Sequence, residues 1–277
     1  MVKEISLGFS SCPNDTFMFY GLVKSRIAPL PFAVREEIHD IEKLNTLVAQ
    51  GSLDVSKVSI HALAYALDRY ALLKTGAALG RGVGPLIVAR KGASLDNLSR
   101  GVTGSPGRFT TAQLLWGLYL NRPAESRFMR FDEIMPAVSR GEIDYGLIIH
   151  EGRFTYRNYG LIALADLGEW WEKETKLPLP LGGIIVKRSI GEEVAGPMEE
   201  GIRQSVLFSR DHPDEAWEYI SNLAQEMEPD VIRQHIELYV NDESFGLSVE
   251  GRKAVETLLE RARRIGSVPK ISKPLFA

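Results

Sequence analysis

A single cysteine, Cys12, in 277 residues excludes an internal disulfide framework and any multi-cysteine metal site. Charge of one sign is not in excess either. The 33 lysines and arginines against 36 aspartates and glutamates leave a net charge of −3, which offers no basic field to a phosphate backbone. Nucleic acid is therefore not expected as a partner. No apolar run reaches the roughly 18 residues needed to span a bilayer. The longest aliphatic stretches, such as Gly183-Ile184-Ile185-Val186, have the length of buried strands. The opening MVKEISLGFSSCPND has one lysine followed at once by a glutamate and no apolar core, unlike a secretory signal. A cytoplasmic protein with no membrane partner is the expectation. The chain also lacks HExxH, calcium-loop spacing and a Gly-x-Ser-x-Gly elbow, so no metal and no cofactor are expected.

What is present suits a globular chain: 44% of residues are hydrophobic and 25% charged. The length fits one large domain or two lobes. Two stretches share one layout. Gly51-Ser52-Leu53-Asp54-Val55 leads into Lys57-Val58-Ser59-Ile60, and Gly141-Glu142-Ile143-Asp144-Tyr145 leads into Leu147-Ile148-Ile149-His150. Each follows a predicted helix and reads glycine, spacer, aliphatic, aspartate, then an apolar strand ending on a polar side chain. Two α/β units of similar plan suggest two lobes facing each other across a cleft.

Lys3 to Phe9 and Phe32 to Ile38 read as strands. Pro13 starts a helix that Asn14 or Asp15 can cap; Asp40 caps a helix over Ile41 to Gln50, and Gly51 ends it. A helical segment spans Ile60 to Leu67. The breaker cluster Gly80 to Pro85 precedes a strand, Leu86 to Arg90, read as the first crossing between lobes. In the second lobe we expect strands at Arg100 to Thr103, Arg127 to Phe131 and Leu147 to His150. The turn Gly104-Ser105-Pro106-Gly107 leads to a helix over Thr110 to Leu120, and a further helix covers Asp132 to Arg140. A composition break at Leu177 to Gly183 precedes the returning strand Ile184 to Lys187. Helices follow at Met198 to Arg210, Pro213 to Met227, Asp230 to Val240 and Ser248 to Ile265. Alternating strands and helices imply mostly parallel sheets covered on both faces. Two lobes with two crossings resemble the type II periplasmic-binding-protein fold, with residues 1–88 and 184–277 in the larger lobe and 89–183 in the smaller.

In open α/β sheets ligands bind beyond the carboxyl ends of the strands, where helix N-termini suit an anion. The junctions Ser10 to Thr16 and Gly104 to Ala112, with strand ends at Ser59 and His150, converge there. A small carboxylate-bearing molecule is the expected ligand. His150 is an even choice between a general base and a ligand hydrogen bond. His39, His61, His212 and His235 read as surface or core histidines, Cys12 as a small buried residue, and Asp54 and Asp144 as strand-start residues. Arg81, Arg108, Arg153 and Arg157 read as solvated or salt-bridged, and Trp170 and Trp171 as packing.

Ser10 to Phe17 (SSCPNDTF), Gly80 to Pro85, Ile148 to Glu151 and Arg153 to Tyr156 resemble the 1,4-dihydroxy-6-naphthoate synthase family of the futalosine route to menaquinone, essentially from end to end. One departure is Ser11, where the family has proline. The resemblance implies a cofactor-independent lyase acting on cyclic dehypoxanthine futalosine. It gives His150 as the proton acceptor, and Lys57, Val58, Ser59, Thr111 and Ala112 as substrate contacts. The alternatives are a non-catalytic small-carboxylate-binding protein and the sister enzyme chorismate dehydratase. The sequence leaves the oligomeric state open.

Overall fold

The computed structural model describes residues 3–225, 228–270 and 273–277. The chain opens with β1 (Glu4–Phe9), α1 (Pro13–Val23), β2 (Ala33–Ile38), α2 (Ile41–Gln50), β3 (Val55–Ser59) and α3 (Ile60–Ala66). Two three-residue strands follow, β4 (Tyr70–Leu72) and β5 (Ala78–Gly80), then β6 (Leu86–Arg90) and β7 (Thr103–Ser105). Next come α4 (Thr111–Tyr119), β8 (Arg127–Phe128), α5 (Phe131–Arg140), β9 (Tyr145–Ile148), α6 (Gly152–Thr155), β10 (Leu161–Asp166) and α7 (Leu167–Thr175). The chain closes with β11 (Leu179–Lys187), α8 (Glu192–Asp211), α9 (Pro213–Leu223), α10 (Pro229–Tyr239), α11 (Asp242–Phe245) and α12 (Val249–Arg264).

Two sheets result. The larger runs β2-β1-β3-β11-β4, with β5 also on β11; the smaller runs β10-β6-β9-β7-β8. Both are mixed, which corrects the expectation of mostly parallel sheets. The pairings β1–β2, β1–β3, β7–β8 and β7–β9 are parallel, whereas β11 and β6 pair antiparallel with every neighbour. The physical reason is connectivity: β6 follows β5 of the other sheet, and β11 follows β10 and α7 of the other sheet, so neither is joined to a neighbour in its own sheet by the helical crossover that parallel pairing needs.

Local chemistry sets the elements. The Asp40 carboxylate accepts from the N–H groups of Glu42 and Lys43 at 3.0 and 3.1 Å, and Gly51 ends α2 at φ 76°. Gly141 ends α5 in the same left-handed conformation. The matched aspartates also do matched work. Asp54 accepts from Ser6 N on β1 at 3.1 Å, and Asp144 accepts from Val102 N at 2.8 Å. Each ties the start of its strand to the parallel neighbour, a particular form of the turn or strand-start role the sequence reading gave it.

Several elements differ from expectation. The cap of α1 is Cys12, with no side-chain bond, and Asp15 turns instead toward Ser10 and Lys57. The strand expected at Arg100–Thr103 is a 3₁₀ turn over Leu95–Arg100, and β7 begins at Thr103. Gly104 lies inside that strand and not in a turn: a Cβ there would stand 2.5 Å from Ile143 Cδ1, so only glycine lets that side chain approach. β8 keeps only Arg127–Phe128, because α5 starts at Phe131. The break at Leu177–Gly183 lies largely within β11, which tolerates Pro180 beside a register shift against β5. α9 ends at Leu223; Met227, placed in that helix by the sequence reading, lies outside the described residues.

The core has one large cluster, with Trp171 and Trp116 at 0% and 2% exposure. A second cluster fills the space between β1, α1 and α8. Trp171 donates to Pro178 O at 3.0 Å, and Trp170 packs on Tyr119, so both tryptophans are packing residues. Among the described residues no helix is long and apolar enough to cross a membrane.

Candidate active site

The ends of β1, β3 and β9, the starts of α1 and α4, and one face of α10 enclose a cavity of about 700 Å³ including its mouth. Ser10, Asp15, Lys57, Val58, Ser59, Thr111, Ala112 and His150 all line it. The structure therefore brings together all six site residues expected from the sequence, in one space.

The floor is a buried ion pair. Lys57 Nζ lies 2.9 Å from Asp15 Oδ1, with side chains only 5% and 3% exposed. Asp15 Oδ2 also accepts from Ser10 Oγ at 2.6 Å and Ser10 N at 3.2 Å, and Asn14 Nδ2 donates to Oδ1 at 3.0 Å. These donors compensate a charge that would otherwise be costly to bury. Ser59 ends β3 and caps α3. Its N–H donates to Asn45 Oδ1 at 3.0 Å, and its hydroxyl accepts from Asn45 Nδ2 at 3.2 Å, so its own hydroxyl proton remains to be given to a ligand.

On the opposite side, Thr110 caps α4 by accepting from Gln113 N at 3.3 Å. The N–H groups of Thr111 and Ala112, in the first turn, have no intrahelical acceptor and lie at the cavity wall. The Thr111 hydroxyl donates to Leu181 O at 2.5 Å, which ties α4 to β11. The Thr111 group available to a ligand is thus its backbone N–H.

His150 differs from expectation in one respect. β9 stops at Ile148, and His150 stands two residues beyond it at φ 54°, in the left-handed region that few non-glycine residues occupy. The short helix α6 comes next, with Glu151 at its N-cap position. The imidazole packs edge-on against Phe131 at 5.1 Å, and its Nδ1 is 3.4 Å from Cys12 Sγ. Among the described residues Nε2 meets no hydrogen-bonding group of the protein. Burial lowers the pKa of His150; Glu151 and Asp15 oppose that shift and Lys57 adds to it. Burial pushes the Cys12 thiol well above its ordinary value, reinforced by Glu151 and Asp15. The contact therefore joins a neutral imidazole to a neutral thiol, and Cys12 is a buried residue as expected.

Other candidates fall outside the chemistry. Arg81 pairs with Glu250 at 3.0 Å at the surface, and Arg157 and Arg108 lie over Tyr156 and Phe109. Arg153 lines the cavity but is held by Asp166 at 2.6 Å and Gly84 O at 2.7 Å. His61 is buried against Thr110 O at 3.1 Å; His39 and His212 lie near surface glutamates. His235 is the residue that sequence reasoning missed: it is 1% exposed, lines the cavity, and stands 6.3 Å from the His150 ring. Only its place in an amphipathic helix was visible in the chain. Among the described residues no group of three or more histidine, cysteine or acidic side chains is arranged to hold a metal ion.

A family model described as "Menaquinone biosynthesis" matches residues 5–264. A 1,4-dihydroxy-6-naphtoate synthase of Thermus thermophilus is 44% identical over 99% of this chain and 100% of its own length. One from Streptomyces coelicolor is also 44% identical, over 99% of this chain and 98% of its own. The crystal structure of protein AF1704 from Archaeoglobus fulgidus superposes with a TM-score of 0.90 at 35% identity, covering 96% of this chain and 98% of that one. The alkanesulfonate-binding protein SsuA of Xanthomonas axonopodis superposes with a TM-score of 0.72 at 13% identity, covering 97% and 95%, which shows a shared fold alone. The fold is two-lobed and periplasmic-binding-protein-like, and the chain belongs to the 1,4-dihydroxy-6-naphthoate synthase family of menaquinone biosynthesis.

Proposed function

We propose that the chain is a carbon–carbon lyase of the futalosine route, converting cyclic dehypoxanthine futalosine to 1,4-dihydroxy-6-naphthoate and a three-carbon dihydroxyacetone fragment. The observation that carries this reading is His150, a neutral imidazole in the cavity whose Nε2 has no protein partner among the described residues. Nε2 takes a proton from the sugar-derived part of the substrate, the electron pair of the adjacent carbon–carbon bond passes into the forming aromatic ring, and the imidazolium gives its proton back as the fragment leaves. Formation of the aromatic ring supplies the thermodynamic pull. The enzyme is then asked mainly for a positioned base and a closed, dry site.

The remaining wall suits an oxygen-rich ligand. Backbone N–H groups of Thr111 and Ala112 receive the carboxylate at the start of α4, where the helix dipole favours negative charge. Ser59 donates to a hydroxyl or carbonyl oxygen, with Val58 and Lys57 on the same strand completing the contact. The reading includes neither a metal nor an organic cofactor and takes place in the cytoplasm, in keeping with the biosynthetic names of the curated relatives.

The test is incubation of the purified protein, without additives, with cyclic dehypoxanthine futalosine, followed by absorbance and mass detection of 1,4-dihydroxy-6-naphthoate. Product supports the reading. No product, with tight binding of a small aromatic carboxylate, replaces it with the binding-protein reading that the shared fold permits.

A further inference from the structure

Five side chains besides His235 carry a buried polar atom with no hydrogen-bonding partner among the described residues: Thr75, Ser105, Gln113, Ser126 and Ser209. None of those five lines the cavity. His235 does, and both of its ring nitrogens are without a partner. The ring sits on α10, 4.6 Å from the Tyr239 ring one turn further along. It faces His150 at an interplanar angle of 67° and a centroid distance of 6.3 Å. A purely structural role would be met better by phenylalanine or leucine, which pack equally well and leave no polar atom stranded.

From this geometry we infer that His235 is a second ligand-facing imidazole, which donates a hydrogen bond to an oxygen of the substrate while His150 takes its proton. Burial, with His150 and Lys57 nearby, holds its pKa well below the ordinary imidazole value, so the ring stays neutral. A neutral imidazole carries one N–H, and a bound oxygen is the acceptor that the protein itself does not supply. Donation to an oxygen that gains negative charge as the carbon–carbon bond opens would favour the transition state over the ground state. Because the ring is neutral before and after, it moves no net proton; His150 both takes the proton and returns it. The inference deepens the proposed function and rests on it for the substrate's identity.

The test compares wild type with His235→Phe and His235→Gln in turnover of cyclic dehypoxanthine futalosine and in Tm. The expected result is that His235→Phe lowers kcat by about tenfold or more while Tm is equal to or above wild type. His235→Gln, whose amide still donates, retains more turnover than the phenylalanine variant. The inference is overturned by His235→Phe turnover within about twofold of wild type. It is overturned equally if both variants lose turnover together with Tm, which would mark a packing role. A wild type inactive on this compound sinks the proposed function and not the inference. The reading then comes from the Tm rise caused by added 1,4-dihydroxy-6-naphthoate. A smaller rise in His235→Phe than in wild type supports the hydrogen bond, and equal rises refute it.

Discussion

Cys12 Sγ lies 3.4 Å from Nδ1 of His150, so the start of α1 in one lobe touches the loop after β9 in the other. The thiol is neutral and the imidazole is neutral, which makes this a weak hydrogen bond that restrains the ring and, on the proposed function, holds Nε2 toward the substrate. A bond of this kind contributes about 1 kcal/mol, so Cys12→Ala should lower turnover by about fivefold with KM little changed. A kcat equal to wild type would remove Cys12 from the account.

On the proposed function, the lowered pKa of His150 sets the pH profile. A general base works in its neutral form, so activity rises with pH through the folded pKa. Burial places that pKa below the ordinary 6.5, and the acid limb of kcat/KM should therefore lie below pH 6.5. An acid limb at or above that value would mean that another group is being read.

How much of this site the chain disclosed can be seen residue by residue. Asp40, Gly51 and Gly141 announce helix ends because capping and left-handed φ are local chemistry, and the matched Asp54 and Asp144 kept the structural role their positions suggested. The convergence of Ser59, Thr111 and His150 followed from the rule that ligands gather at strand ends. What was not legible depended on distant partners. β4 and β5 are three residues each and exist through pairing with β11, and β11 itself runs through Pro180 and two glycines that locally signal a break. The contact of Cys12 with His150 spans 138 residues, and nothing local distinguishes His235 from a core histidine.

The buried pair Lys57–Asp15 gives a stability prediction. Lys57→Met leaves the Asp15 carboxylate without its cation at 3% exposure, and loss of one partner of a buried pair costs about 3–5 kcal/mol. Denaturant unfolding should show that loss, and adding Asp15→Asn should recover part of it. A single variant as stable as wild type would show that the hydrogen bonds from Ser10 and Asn14 alone hold the carboxylate.

Acid lability should follow from two buried histidines, His61 and His235, and the half-buried His150. His61, His150 and His235 all have folded pKa values below the ordinary 6.5, in each case first through burial. The unfolded chain then binds protons that the folded chain does not, so stability is complete above about pH 6.5 and declines as pH falls toward the folded values. Tm should drop between about pH 7.5 and about pH 5, and His235→Phe should flatten that drop. An unchanged slope in the variant would show that His235 is not a source of it.

The most direct measurement is a single-turnover comparison of wild type and His150→Ala on cyclic dehypoxanthine futalosine, with circular dichroism to check the fold. The account predicts a properly folded variant whose rate is lower by about 10²–10⁴-fold, the usual contribution of a general base. A folded His150→Ala that forms 1,4-dihydroxy-6-naphthoate at a near-wild-type rate would contradict it.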